Sequence, residues 1–252
     1  SLFPQARGTN ADGTTAVTFM NLTISGTITN AGFDCAAFVG HARGSANFYN
    51  CTSNVDITSN QHSCAGIVGT TKGNRNKNIN EKFEYEFIGC VNQGDIKTSG
   101  NFEDKGTGGI LGHVWNGDRN ASNDTYSNTF VTTPYVLMDS CRNEGDLQGS
   151  YNVGGIAGKS AGNIELQNCG NTGNIEALCA KAPNGTLGVS NFNKDGHAGG
   201  IIGLVRTPGH ADVYASYNSG NVHSWGNKAG GIMGADTEYT SQNNTTKIYY
   251  CY

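Results

Sequence analysis

Cys141-Arg-Asn-Glu-Gly-Asp-Leu147, followed by Gly154-Gly-Ile-Ala-Gly158, decides how this chain is read, because the two blocks recur along its whole length. With substitutions, the other copies run Leu22 to Ile28 then Ala36 to Gly40, Cys51 to Ile57 then Ala65 to Gly69, Cys90 to Ile96 then Gly108 to Gly112, Cys169 to Ile175 then Gly199 to Gly203, and Ser216 to Val222 then Gly230 to Gly234. Lys247-Ile-Tyr-Tyr-Cys-Tyr252 opens a seventh. Self-similarity at a period of tens of residues marks a solenoid, whose units bury their apolar sides against one another.

Three apolar columns run through the copies. Three residues before the cysteine position stand Phe19, Phe48, Phe87, Met138, Leu166, Val213 and Ile248. Six residues after it stand Ile28, Ile57, Ile96, Leu147, Ile175 and Val222, and within the glycine block Phe38, Ile67, Ile110, Ile156, Ile201 and Ile232. β-Branched residues and glycine dominate and no 3.6-residue period is sustained, so the units are strands. Leu22 to Cys51 spans 29 residues and Cys141 to Cys169 spans 28, about one coil of a three-faced parallel β-helix. The expected fold is all-β, a right-handed parallel β-helix of six to seven coils with loop insertions. At a rise near 4.8 Å per coil the rod is about 30 Å long.

Residues 1–252 read as a single β-solenoid domain, and the abrupt start at Ser1-Leu-Phe reads as a fragment of a longer chain. The 37 glycines against 4 prolines suit tight turns without a collagen period. A net charge of −4 with no Lys/Arg run predicts no nucleic-acid partner. No apolar stretch approaches the ~20 residues of a membrane helix, so no membrane insertion is expected in this segment.

Five of the eight cysteines, Cys51, Cys90, Cys141, Cys169 and Cys251, share one repeat position, which Leu22 and Ser216 fill elsewhere. They read as a ladder of buried free thiols. Cys35 and Cys64 share a second position in adjacent coils and form the candidate disulfide. Asn92, Asn143, Asn171 and Asn218 read as a stacked amide ladder at an inner corner. Gly94, Gly145, Gly173 and Gly220 follow two residues later, where positive φ is expected. Asp56, Asp95 and Asp146 share one turn position, which reads as exposed rather than as a calcium site.

Insertions at 70–84 and 113–135 lengthen the turn after the glycine block, and those at 97–106 and 176–197 the turn before it. They carry aromatic residues, and Trp115, Tyr126, Phe130, Phe192 and Trp225 are the candidate binding residues of this loop edge. His41, His62, His113, His197, His210 and His223 read as scattered, solvated turn residues. No zinc, nucleophile-elbow or phosphate-loop motif occurs, so no catalytic residue, metal or cofactor is assigned. β-Helices also host polysaccharide lyases and glycosidases, for which Asp104 with Lys105, or Lys194 with Asp195, would be the first residues to consider.

The blocks Gly108 to Gly112, Gly154 to Gly158, Gly199 to Gly203 and Gly230 to Gly234, each preceded by Asn-x-Gly-x-Ile/Leu/Val, resemble GLUG repeats. That family occurs in large secreted or surface-attached bacterial proteins, including adhesin-like proteins and non-catalytic parts of some immunoglobulin A peptidases. The resemblance implies a non-enzymatic stalk or adhesin at the bacterial surface or secreted, binding host protein or glycan, or stacking on copies of itself into filaments. The alternative is a carbohydrate-active β-helix enzyme. Ala36-Ala-Phe-Val-Gly40 and Ala65-Gly-Ile-Val-Gly69 depart from the pattern.

Overall fold

Each coil passes through four parallel sheets, numbered from the strand that precedes the cysteine position; sheet 2 holds Thr23–Asn30, Thr52–Ser59 and then the paired short strands from Val91–Asn92 with Ile96–Thr98 to Tyr217–Asn218 with Val222–Ser224. The computed structural model describes residues 1–8, 16–30, 32–60, 63–72, 84–100, 105–115, 134–178, 196–206, 209–226, 228–237 and 246–252. Sheet 1 holds Val17–Met20, Ala46–Tyr49, Glu84–Ile88, Tyr135–Asp139, Asn163–Gln167, Ala211–Tyr214 and Lys247–Tyr249. Sheet 3 holds Cys35–Ala36, Cys64–Ala65, Gly106–Gly108, Asn152–Gly154, His197–Gly199 and Lys228–Gly230. Sheet 4 holds Phe3–Arg7, Val39–Arg43, Val68–Lys72, Leu111–Trp115, Ala157–Ser160, Ile202–Arg206 and Met233–Thr237. Neighbours in every sheet come from successive coils, which is the parallel β-helix expected from the repeats.

The columns stand in register. Phe19, Phe48, Phe87, Met138, Leu166, Val213 and Ile248 are consecutive partners across sheet 1. The rings of Phe19 and Phe48 stack at 5.0 Å, and those of Phe48 and Phe87 at 4.9 Å. Such pairs add about 0.5–1.5 kcal/mol each beyond the area they bury. Ile28, Ile57, Ile96, Leu147, Ile175 and Val222 line up in sheet 2.

Sheet 2 changes character along the rod. The first two coils cross it as straight strands, Thr23–Asn30 and Thr52–Ser59. Later coils break it into two, as in Val91–Asn92 with Ile96–Thr98 and Arg142–Asn143 with Leu147–Gly149. The asparagines make the break. Asn92 Nδ2 donates to Asn143 Oδ1 at 2.8 Å and to the carbonyl of Gly94, two residues on, at 2.8 Å. Asn143 repeats the arrangement with Asn171 and Gly145, and Asn171 with Asn218 and Gly173. The glycine of this motif does not take the positive φ that the sequence led us to expect. A Cβ on Gly94 would overlap the Val55 carbonyl of the coil beneath, so close approach, not handedness, selects it. Positive φ falls instead on the residue before the cysteine position, at Asn21, Asn50, Gly89, Ser140, Asn168, Ala215 and Tyr250.

The glycine block is the other departure. Rather than one strand of a three-faced coil, it is a sharp bend between two sheets: Gly108 ends sheet 3, Ile110 turns the corner inside the core, and Leu111 begins sheet 4.

Candidate functional site: a polar crease between two sheets

The bend folds sheets 3 and 4 so tightly that their outer faces meet. A Cβ on Gly158 of sheet 4 would lie 2.5 Å from the Thr107 amide nitrogen and 2.7 Å from Gly106 of sheet 3, one coil earlier. Gly203 meets Val153 and Gly234 meets Ala198 in the same way, at 2.8 Å. The last glycine of each block is therefore fixed by backbone packing, and a crease runs along the outside of the rod.

Side chains beside these glycines line the crease. His41, Thr70, His113, Lys159 and Leu204 are successive register partners on sheet 4. Asn152 and His197 are partners on sheet 3. Lys159 is 1% exposed, and His113 and His197 are 2% exposed. Burying a polar group is costly unless it is hydrogen-bonded. His197 Nδ1 and Asn152 Oδ1 lie 2.8 Å apart, and Asn152 Nδ2 donates to the Lys105 carbonyl at 2.8 Å. At the near end, His41 Nδ1 sits 2.9 Å from Asp34 Oδ2, and Thr70 Oγ1 donates to Asp34 Oδ1 at 2.7 Å. Burial pushes the Asp34 carboxyl up, but the hydrogen bonds from His41 and Thr70 and the charges of His41 and Lys105 outweigh it. Its pKa therefore lies below the ordinary value. At the mouth, Lys105 Nζ stands 5.4 Å from the centre of the Trp115 ring, a cation–π contact between the start of sheet 3 and the end of sheet 4.

Of the candidate binding residues, the two that are described, Trp115 and Trp225, are not brought into one patch. Trp115 ends a sheet 4 strand at the crease mouth. Trp225 follows a sheet 2 strand three coils later, about 14 Å along the axis at one strand spacing per coil. It is 48% exposed, with its indole N–H on Glu176 Oε1 at 2.8 Å and His223 packed edge-on. Tyr126, Phe130 and Phe192, together with Asp104, Lys194, Asp195 and His62, lie outside the described residues. The histidines correct the sequence reading: His41, His113 and His197 stand on strands and converge on the crease. His210 lies on the outer face of sheet 1, 3.2 Å from Asn163 and 3.5 Å from Asp212.

The cysteine columns are interior. Cys51, Cys90, Cys141 and Cys169 are fully buried, and each S–H reaches a backbone carbonyl, as Cys141 does to Phe87 at 3.2 Å. Hydrogen bonding to Cys90 and burial push Cys51 well up, and burial with contacts to Cys169 and Cys90 does the same for Cys141. Cys35 and Cys64, the candidate bridge, face each other in register as thiols. Their mutual hydrogen bond, and burial, hold Cys64 high. Cys51, Cys64 and Cys141, held neutral in this way, are poor nucleophiles, whereas the hydrogen bonds of Cys141 and Cys51 pull Cys90 down. The Asp column is consumed by backbone: Asp56 Oδ1 accepts the Asp95 N–H at 3.0 Å, Asp95 that of Asp146 at 2.9 Å, and Asp146 that of Asn174 at 2.8 Å.

No family model, curated protein or solved structure matches the chain. Among the described residues that line the crease, Asp34 is the one carboxylate, and it is engaged by His41 and Thr70. The crease presents cations, imidazoles, an amide and a tryptophan on rigid strands.

Proposed function

We propose that the chain is a non-catalytic repeat module of a bacterial cell-surface or secreted protein, a stalk and adhesin whose loop-bearing edge contacts host protein or glycan. One observation carries this reading. The insertions that enter sheet 3 end at Lys105 and Gly196, those that leave sheet 4 start at Lys72 and Trp115, and the crease turns these two corners toward each other. Variable segments on a rigid scaffold are the usual place of binding. The repeat resemblance agrees with such a role.

The test is to pass the protein over arrays of host extracellular proteins and glycans and to analyse the chain length of every glycan retained. Retention of intact glycan or protein is the expected result. Shortened glycan would identify the carbohydrate-active alternative, and failure to retain any ligand would overturn the proposal.

Self-association is a companion reading, favoured by the sheet edges. At one end Leu2, Phe3, Met20 and Leu22 are exposed beside unpaired strands, and at the other Ile248, Tyr249 and Tyr252. Edge strands of this kind accept a further coil, and a second copy can supply it head to tail. Sedimentation that stays monomeric up to high concentration would remove this reading.

A further inference from the structure

Cations gather along one rim of this rod. Arg7, Arg43, Lys72 and Trp115 occupy one register column at the rim of sheet 4, one per coil in four successive turns. Arg7 and Arg43 are exposed, and neither is ion-paired among the described residues. Lys105 adds a further cation over the Trp115 ring. Carboxylates collect elsewhere: Glu86, Leu137, Glu165 and Asp212 are successive partners on the outer face of sheet 1. The fold does not require a cation at the rim, because the same column holds Trp115 in the fourth turn. Like charges on directly opposed residues repel, so the column costs stability and asks for an anionic partner.

We propose that this column binds an acidic polysaccharide, a linear glycan bearing a carboxylate or sulfate on each sugar unit, laid along the rod axis. Parallel strands place Arg7 and Arg43 about 4.8 Å apart, comparable with the length of one sugar unit in an extended chain. Arginine pairs with carboxylate and sulfate through a fixed fork of donors, and the Trp115 ring supplies a stacking surface for a pyranose face. The inference rests on the binding-module reading and names the ligand class for it. The chain's net charge of −4 hides the feature, since the cations are distant in sequence and meet only through the register.

The experiment measures affinity for polygalacturonate oligomers, heparin oligosaccharides, neutral dextran and single-stranded oligo(dT), at low and moderate salt. Binding to one or both acidic glycans is expected, with affinity falling on the order of tenfold between 50 and 200 mM salt for about three neutralised cations. The two acidic probes separate a carboxylate from a sulfate preference. Arg43→Glu and Arg43→Gln, both at an exposed position and checked by melting, should weaken binding in that order, and Trp115→Ala should weaken it at both salts. Dextran or oligo(dT) bound as tightly as the acidic glycans would overturn the proposal, as would affinity unchanged in Arg43→Glu. Array ligands still retained by Arg43→Glu would leave the binding-module reading standing while this inference fails. Retention of no ligand by the wild type would end both.

Discussion

Asn143 occupies the space that any side chain at Gly109 would need: a Cβ built on Gly109 would lie 2.5 Å from Asn143 Oδ1. The same match joins Gly66 to Asn92, Gly155 to Asn171 and Gly200 to Asn218, always from one coil to the next. The same Cβ would lie 2.3 Å from the Gly155 carbonyl oxygen, so Gly109→Ala should strain that backbone together with the ladder and destabilise the fold by about 1–3 kcal/mol, the usual cost of overpacking. Urea denaturation reads it, and a variant as stable as the parent would show that the ladder yields freely.

The pairing explains why the ladder stops. Ser53 holds the asparagine position one coil below Asn92, and the residue matching Gly66 in the coil beneath it is Ala37. Ser53 Oγ and Asn92 Oδ1 are both buried without hydrogen-bond partners. Ser53→Asn alone is expected to destabilise, because its amide meets the Ala37 methyl. Combined with Ala37→Gly it should extend the ladder and recover about 0.5–1.5 kcal/mol, the worth of one hydrogen bond. A double-mutant cycle showing simple additivity would refute this coupling.

Asp34 gives the crease an acid-sensitive term. Its carboxyl titrates below the ordinary value of 3.8, so folding favours the charged form. That stabilisation is complete above the ordinary pKa and is lost as pH falls through the lower folded value. Melting temperatures of the parent and Asp34→Asn should differ near pH 6 and converge toward about pH 2. A gap that does not change with pH would exclude the linkage.

The aspartate column should behave as a backbone cap and not as a metal site. Asp95→Asn keeps an oxygen for the Asp146 N–H and should melt close to the parent, whereas Asp95→Ala loses the acceptor and should melt lower. Calcium and chelator are expected to leave both midpoints in place; a calcium-dependent rise would reassign the column.

Six described cysteines are buried, and Cys251 is partly exposed. A thiol reagent should label Cys35, Cys51, Cys64, Cys90, Cys141 and Cys169 only after unfolding. Purification under air followed by intact mass provides a second check. A native mass lower by two hydrogens, mapped to Cys35 and Cys64, would mean that the two stacked thiols bridge after all.

The register was legible because identity repeats. Phe19, Phe48 and Phe87, or Ile57 and Ile96, announce their shared columns by residue type, and a parallel solenoid converts such a column directly into contact. The split of sheet 2 was half legible: the Asn-x-Gly motif marked a corner, but close approach at Gly94 cannot be told from positive φ without the neighbouring coil. The crease was missed for the opposite reason. His41, Thr70, His113, Lys159 and Leu204 follow the last glycine of successive blocks, yet no two neighbours share a residue type. A polar residue recurring directly after that glycine was the available signal, and the insertions nearby drew His113 and His197 into loops on paper. The basic rim was invisible to composition, since Arg7 and Arg43 are far apart in sequence and adjacent only through pairing.

The turn from Cys141 to Asn168 carries none of the insertions, and its upper and lower surfaces are cut to the same pattern. Duplicating those 28 residues would lengthen the molecule by about one strand spacing and create one new interface, in which each residue of the coil meets its own copy. Reach, for a molecule built this way, can be adjusted by copying alone.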